Sequence, residues 1–204
     1  VFGITGASGG PYAVVALDAL AENGCEVMLV VTDPGRRVLE HETGLDVAGL
    51  MKRYTEVAGR LGKRGGIRVF ENDDLFAPIA SGSFRTDGMI IMPCSMGTAA
   101  AVAHGVSDNL LRRAADVTLK EGRRLVVVPR EMPMSAIHLR NLLVLSEAGV
   151  RVVPAMPFFY DKPESVGDLL RQVAGRALSA LGEETDLVVP WSTPTDDDVQ
   201  SREQ

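Results

Sequence analysis

The sequence is short of the residues from which disulfide frameworks, zinc sites and nucleic-acid grooves are made. Cysteine occurs twice, at Cys25 and Cys94, too few for either of the first two. Bases are outnumbered: 21 Lys and Arg stand against 27 Asp and Glu, a formal charge of -6, so nucleic acid is not expected as the main partner. Long apolar runs are also missing. Each breaks at charge, Gly or Pro well before the roughly 18 residues of a membrane-spanning helix, and no membrane contact is expected. No signal peptide is visible, which leaves a soluble, cytoplasmic protein as the expectation. The chain opens apolar at Val1-Phe2-Gly3-Ile4, so a few further residues are expected ahead of Val1.

Apolar side chains, by contrast, are plentiful. They fill 46% of the 204 positions, enough for one domain with a real core and incompatible with a disordered chain. Short β-rich runs at 1–4, 27–31, 67–70, 89–92, 125–128 and 150–153 alternate with helical patterns at 11–22, 36–42, 108–120, 135–148 and 165–181. Most of the strands lack in/out alternation, as strands buried on both faces do. The alternation predicts right-handed crossovers and a single three-layer α/β domain, a Rossmann-like, doubly wound parallel sheet over 1–181. Residues 182–204 read as an extension. From 194 onwards Asp196, Asp197, Asp198 and Glu203 against Arg202 make an acidic tail with nothing to bury, expected to be disordered. The stretches 59–66 and 72–85 are the irregular regions long enough to carry function.

In such a sheet, ligands bind beyond the carboxyl ends of the strands, where helix N-termini aim free N–H groups. After the first strand comes Thr5-Gly6-Ala7-Ser8-Gly9-Gly10, a turn that suits a phosphate or a flavin edge but falls short of the full dinucleotide fingerprint. Thr32 follows the second strand and reads equally as a helix cap. Glu42 reads as a surface carboxylate. After the fourth strand, Pro93-Cys94-Ser95-Met96-Gly97-Thr98 is a second small-residue turn feeding a helix; within it, Cys94 reads as a buried small hydrophobe. Arg113, Asp116 and Lys120 share one helical stripe, most simply a solvated ion-pair ladder. Arg130 and Glu131 stand between Pro129 and Pro133 at a strand's end, where the first could clamp a phosphate or a flavin and the second could move a proton. The loop 157–163 collects Phe158, Phe159 and Tyr160, either as a plug for the sheet edge or as a roof over an apolar substrate. Together these residues describe a flavin- or nucleotide-sized site without naming a reaction.

Five motifs in order go further. Ile4–Gly9 (ITGASG), Ala80–Ser83 (ASGS), the block 92–98 followed by 109–121, Val128–Pro133 (VPREMP) and the P-x-FY-x-x-P loop at 157–163 resemble the UbiX family of flavin prenyltransferases, within the wider group of flavin-binding cysteine decarboxylase folds. The resemblance implies that a dimethylallyl group is joined from dimethylallyl phosphate to N5 and then C6 of reduced FMN. The product would be prenylated FMN for a UbiD-type decarboxylase, made without a metal. Gly6, Ala7, Ser8, Thr32, Ser95, Met96, Gly97, Thr98 and Arg130 would hold FMN. Tyr160 and Arg176 would grip the prenyl phosphate, with Lys120 and Arg113 adding positive charge. Glu131 and Ser8 would handle protons, with Glu42 and Ser81 in the same pocket. The family's habit implies a homo-oligomer, a dodecamer, with sites at subunit junctions.

One position departs from the pattern. Many members of the family carry Trp where this chain has Leu75, and the sole Trp, Trp191, lies near the tail. The rival enzyme reading is a flavin-dependent peptidyl-cysteine decarboxylase. That group is marked by a His in the loop before the fourth strand and an Asn in the small-residue turn. Here that loop holds no His and Gly97 stands at the Asn position. A non-catalytic flavin carrier, or an accessory subunit of a decarboxylase, is the third reading.

Overall fold

Six strands pair in parallel in a computed structural model that describes residues 1–188. They are β1 (Phe2–Ile4), β2 (Val27–Val31), β3 (Ile67–Phe70), β4 (Gly88–Cys94), β5 (Arg124–Pro129) and β6 (Arg151–Val152). Their spatial order is β3-β2-β1-β4-β5-β6. Seven helices connect them: α1 (Gly10–Glu22), α2 (Asp33–Thr43), α3 (Val47–Arg60), α4 (Met96–Ala103), α5 (Leu110–Lys120), α6 (Ala136–Glu147) and α7 (Val166–Leu181). β4 is buried along its whole length, as a central parallel strand covered on both faces must be. One apolar cluster joins the sheet to α1, α2, α3 and α7, and another joins it to α4, α5 and α6. These are the three layers that the alternation of runs predicts.

The strand order reverses between β1 and β4, so the crevice for a ligand opens between their carboxyl ends. Thr5, 1% exposed, ties the two ends together there. Its hydroxyl donates to the Pro93 carbonyl at 2.8 Å and accepts from the Ser95 amide at 2.7 Å. The two small-residue turns are thereby held as one unit.

The sequence reading leaves 47–58 without structure and treats 59–66 as irregular; α3 covers that ground up to Arg60. Its apolar stripe is real, with Leu50, Tyr54 and Ala58 buried and the Tyr54 hydroxyl donating to the Cys25 carbonyl at 2.7 Å. Gly49 and Gly59 interrupt the pattern as breakers do, and burial of the tyrosine outweighs their cost. Helix α2 likewise begins three residues before the expected 36, because Thr32 caps it. Past α7, Asn23 donates to the Glu184 carbonyl at 2.7 Å and Leu187 packs against the core. The acidic tail and Trp191 lie outside the described residues.

Candidate active site

Among the described residues the α-helix starts follow one rule with one exception. Thr32, Asp46, Ser95, Asn109, Ser135 and Ser165 each accept a backbone N–H of the helix they precede. Helix α1 has Gly9 at that position and no side chain of its own to cap it. The cap comes from elsewhere: the Glu42 carboxylate on α2 accepts from Gly9 N at 2.9 Å and Gly10 N at 2.8 Å. Glycine is favoured at the first position by its backbone and leaves room for the carboxylate at the second. Gly9 has φ +132°, and a Cβ at Gly10 would come within 3.2 Å of the Glu42 carboxylate.

Glu42 is therefore part of the β1–α1 corner and not a free surface carboxylate. Burial opposes its ionisation, but hydrogen bonds from Ser8, Gly9 and Gly10 and the nearby charge of Arg130 hold it below the ordinary carboxyl value. It is anionic at neutral pH. The two amides that would face a phosphate in a dinucleotide fold are already taken, and the corner offers a carboxylate and the exposed Ser8 hydroxyl instead. Arg130 closes it from the far side, its Nε donating to the Ser8 carbonyl at 3.0 Å. Tyr12 packs beside Gly9 and feels the Arg130 charge, although burial pushes its phenol up.

The second turn lies across the crevice. Ser95 caps α4 by accepting from Thr98 N at 3.3 Å, and its hydroxyl donates to Thr98 Oγ1 at 3.1 Å. Met96 and Thr98 are buried, which leaves Gly97 exposed at the helix mouth, with nothing within 4 Å of where a Cβ would stand. Such an opening at a helix N-terminus lets a planar or anionic ligand approach the backbone closely. Thr32 fills the capping role, accepting from Gly35 N at 3.1 Å, and Gly6 sits so near Pro34 that a Cβ would meet it at 2.5 Å. Ala7 is buried beside them. Cys94 is fully buried, and burial pushes its thiol up to about 12, which suits packing and not nucleophilic chemistry.

The remaining sequence-predicted residues fall into two further groups. Arg113 on α5 donates to the Ala80 carbonyl at 3.1 Å and pairs with Asp116 at 2.8 Å. Lys120, at the end of the same helix, pairs with Glu121, and a side chain at Gly82 would collide with both. Arg123 adds bonds to the carbonyls of Gly82 and Phe84, while the hydroxyls of Ser81 and Ser83 lie 2.9 Å apart. Of the expected ladder one rung forms, Arg113–Asp116, while Lys120 turns to Glu121; Arg113 and Arg123 brace the loop 80–84. Glu131, after β5, accepts from Met132 N at 3.3 Å.

Tyr160 stacks on Phe158 with ring centroids 4.3 Å apart. Arg176 is exposed on α7, beside a hollow lined by Ser179, Thr185 and Val188. The histidines have other tasks: His104 bonds Asn141 at 3.1 Å between α4 and α6, and His138 completes the α6 capping box. Among the described residues no group of three His, Cys, Asp or Glu could hold a metal. The contacts of Thr5 and Glu42 are not readable from the sequence, because their partners lie 32 to 90 positions away.

A sequence model of the Flavoprotein family matches residues 1–178. The flavin prenyltransferase UbiX of Alkalihalophilus pseudofirmus is 47% identical over 189 residues, 93% of this chain and 94% of its own. Two solved structures superpose closely. A dodecameric FMN-dependent Ubix-like decarboxylase from Escherichia coli O157:H7 gives a TM-score of 0.83 at 44% identity, covering 94% of this chain and 98% of that one. AnUbiX (PadA1), in complex with FMN and dimethylallyl pyrophosphate, gives 0.85 at 38% identity, covering 95% and 97%. With its glycine corners, its strand order and these likenesses in agreement, the chain belongs to the Flavoprotein family and, within it, to the UbiX flavin prenyltransferases.

Proposed function

We propose that the chain joins the dimethylallyl group of dimethylallyl phosphate to N5 and C6 of reduced FMN, yielding prenylated FMN for a UbiD-type decarboxylase. The observation that carries this reading is the corner in which Ser8, Glu42 and Arg130 converge on the β1–α1 turn, opposite the opening at Gly97. Gly6, Ala7, Ser8, Thr32, Ser95–Thr98 and Arg130 would hold FMN across the β1/β4 crevice. Arg113, Lys120, Tyr160 and Arg176 would surround the prenyl phosphate. Cations and hydrogen-bond donors there stabilise the charge that develops as the allylic C–O bond breaks and the phosphate leaves with the electron pair. Holding the allyl carbon against N5 turns a two-body encounter into a positioned one. Ser8 and Glu131 would carry protons, and Ser81 would line the pocket.

These residues occupy separate elements: the turns after β1, β4 and β5, helix α5 with the loop 80–84 that it braces, the loop 157–163, and α7. A homo-oligomer would complete the site by setting one chain's elements against a neighbour's corner. Helix α6 supports such association, since Ile137, Leu139, Leu143 and Val144 on it are 36% to 66% exposed. The dodecamer of the Escherichia coli relative is the arrangement we expect.

Inorganic phosphate release tests the reaction. It is expected when dimethylallyl phosphate and reduced FMN are both present and not when either is left out. FMN binding with no phosphate release would favour the flavin-carrier reading. Two substitutions test the FMN half of the site. Arg130→Ala should weaken FMN binding at least about tenfold, the worth of one lost charge-assisted hydrogen bond of roughly 1.5–3 kcal/mol. Gly97→Ala should leave stability unchanged or raise it by up to about 1 kcal/mol, as a helical Gly→Ala change does, because its Cβ enters open space. The same methyl should weaken FMN binding, and unaltered flavin affinity by fluorescence titration would remove Gly97 from the site.

A further inference from the structure

Gln172 is one of five buried polar side chains among the described residues, and it is 2% exposed. It lies in the first half of α7, on a stretch otherwise given to Val173, Ala174, Ala177 and Leu178. A leucine would satisfy that packing. An amide buried there has to be hydrogen-bonded at both ends or it destabilises the fold, and both of its bonds end in a single loop. Oε1 accepts from Phe158 N at 2.9 Å, and Nε2 donates to Asp161 Oδ1 at 2.6 Å. Between these two points lies Tyr160, stacked on Phe158 with the rings 5° from parallel.

Within the loop, Lys162 N donates to the Phe159 carbonyl at 3.1 Å and closes a turn around Tyr160. At one end Ala155 N donates to the Pro129 carbonyl at 3.1 Å. At the other, the Ser165–Asp168 capping box fixes the start of α7. The middle turns through Lys162, whose φ of 52° is unfavourable for a residue with a side chain. Gln172 grips the loop on both sides of Tyr160. It also stands one helical turn before Arg176 on the same helix, at the border between the buried side of α7 and the exposed side that carries Arg176.

We propose that Gln172 is a positioning residue for the prenyl donor: it locks the Tyr160 loop to the helix that carries Arg176, so that the two phosphate-contacting groups move as one body. This rests on the reading that Tyr160 and Arg176 bind the phosphate.

Steady-state phosphate release by the full chain with reduced FMN tests the assignment. Gln172→Leu should raise the KM for dimethylallyl phosphate about tenfold or more, as expected for two lost hydrogen bonds, one of them to a carboxylate. The Kd for FMN and the kcat at saturating donor should stay within about threefold. Gln172→Glu should raise KM similarly at neutral pH, because two carboxylates then face each other.

Adding Asp161→Asn to Gln172→Glu should bring KM back towards the wild-type value. The carboxylate introduced on α7 then accepts both from Phe158 N and from the amide introduced on the loop, which restores the link with its polarity reversed. A general structural defect would lower FMN affinity and kcat along with donor affinity, whereas loss of positioning raises the donor KM alone. If Gln172→Leu fails to fold, the Glu/Asn exchange decides alone. A wild-type KM in Gln172→Glu, or no rescue by Asp161→Asn, overturns the assignment. Absence of phosphate release in the wild type would instead overturn the reading on which it rests.

Discussion

Replacing Glu131 by glutamine is expected to slow flavin prenylation at least about a hundredfold, the lower end of what general acid–base catalysis contributes, while FMN binds as in the wild type. Substitution at N5 releases a proton, and in the proposed function Glu131, just beyond the end of β5, would take it. Its one hydrogen bond in the structure is a long one, 3.3 Å from Met132 N, so little is lost structurally when the charge is removed. Glutamine keeps the shape and the hydrogen-bonding capacity but neither takes up nor delivers the proton. The effect should fall on kcat with KM for the donor little changed, whereas Arg130→Ala should act through FMN affinity. Turnover by Glu131→Gln at the wild-type rate would take Glu131 out of the mechanism.

Glu42→Ala is expected to lower the unfolding free energy by about 2 kcal/mol at neutral pH, besides depriving Ser8 of its carboxylate partner. Among the described residues no other side chain caps the Gly9 and Gly10 amides, so removal of the carboxylate leaves the start of α1, which links β1 to β2, bare. The pH dependence identifies the cause. The Glu42 carboxyl is held below the 4.5 of a free glutamate in the folded chain. Its contribution is therefore complete above that value and is lost as pH falls through the lowered folded value. The stability gap between wild type and Glu42→Ala, measured by urea unfolding, should be constant at neutral and mildly acid pH and should narrow as pH falls below the 4.5 of a free glutamate. A gap that widens in acid would contradict the capping role.

The sheet is legible in the sequence because each central strand is an apolar run that water cannot share on either face. Val27–Val31 and Arg124–Pro129 end within a residue or two of the runs that predict them. α3 is hidden because Gly49 and Gly59 carry the local signal of a break, while the burial of Tyr54 that overrides it is a tertiary fact. The same division holds in the site. Ser8, Gly97, Arg130 and Glu131 sit at strand ends and can be named from position alone. The tasks of Glu42, Thr5 and Gln172 depend on partners brought in by chain reversal: α2 folding over the β1 turn, β4 meeting β1, and α7 returning to the 157–163 loop. Arg113 and Lys120 are legible as a helical stripe, but the carbonyl of Ala80 that Arg113 braces is not.

Leu75 is the position where the resemblance to the family leads one to expect Trp. It is 46% exposed, and its neighbour Phe76 is fully exposed. An aromatic face would steady an allylic cation, so the consequence to look for is in donor choice or rate and not in the class of reaction.

The most direct test of the account is the mass of the flavin recovered after anaerobic incubation of the full chain with reduced FMN and dimethylallyl phosphate. The account predicts a flavin heavier by one C5H8 unit, with one phosphate released for each prenyl transferred. Recovery of FMN unchanged in mass, from protein shown to bind it and supplied with the phosphate and then the diphosphate donor, would contradict it.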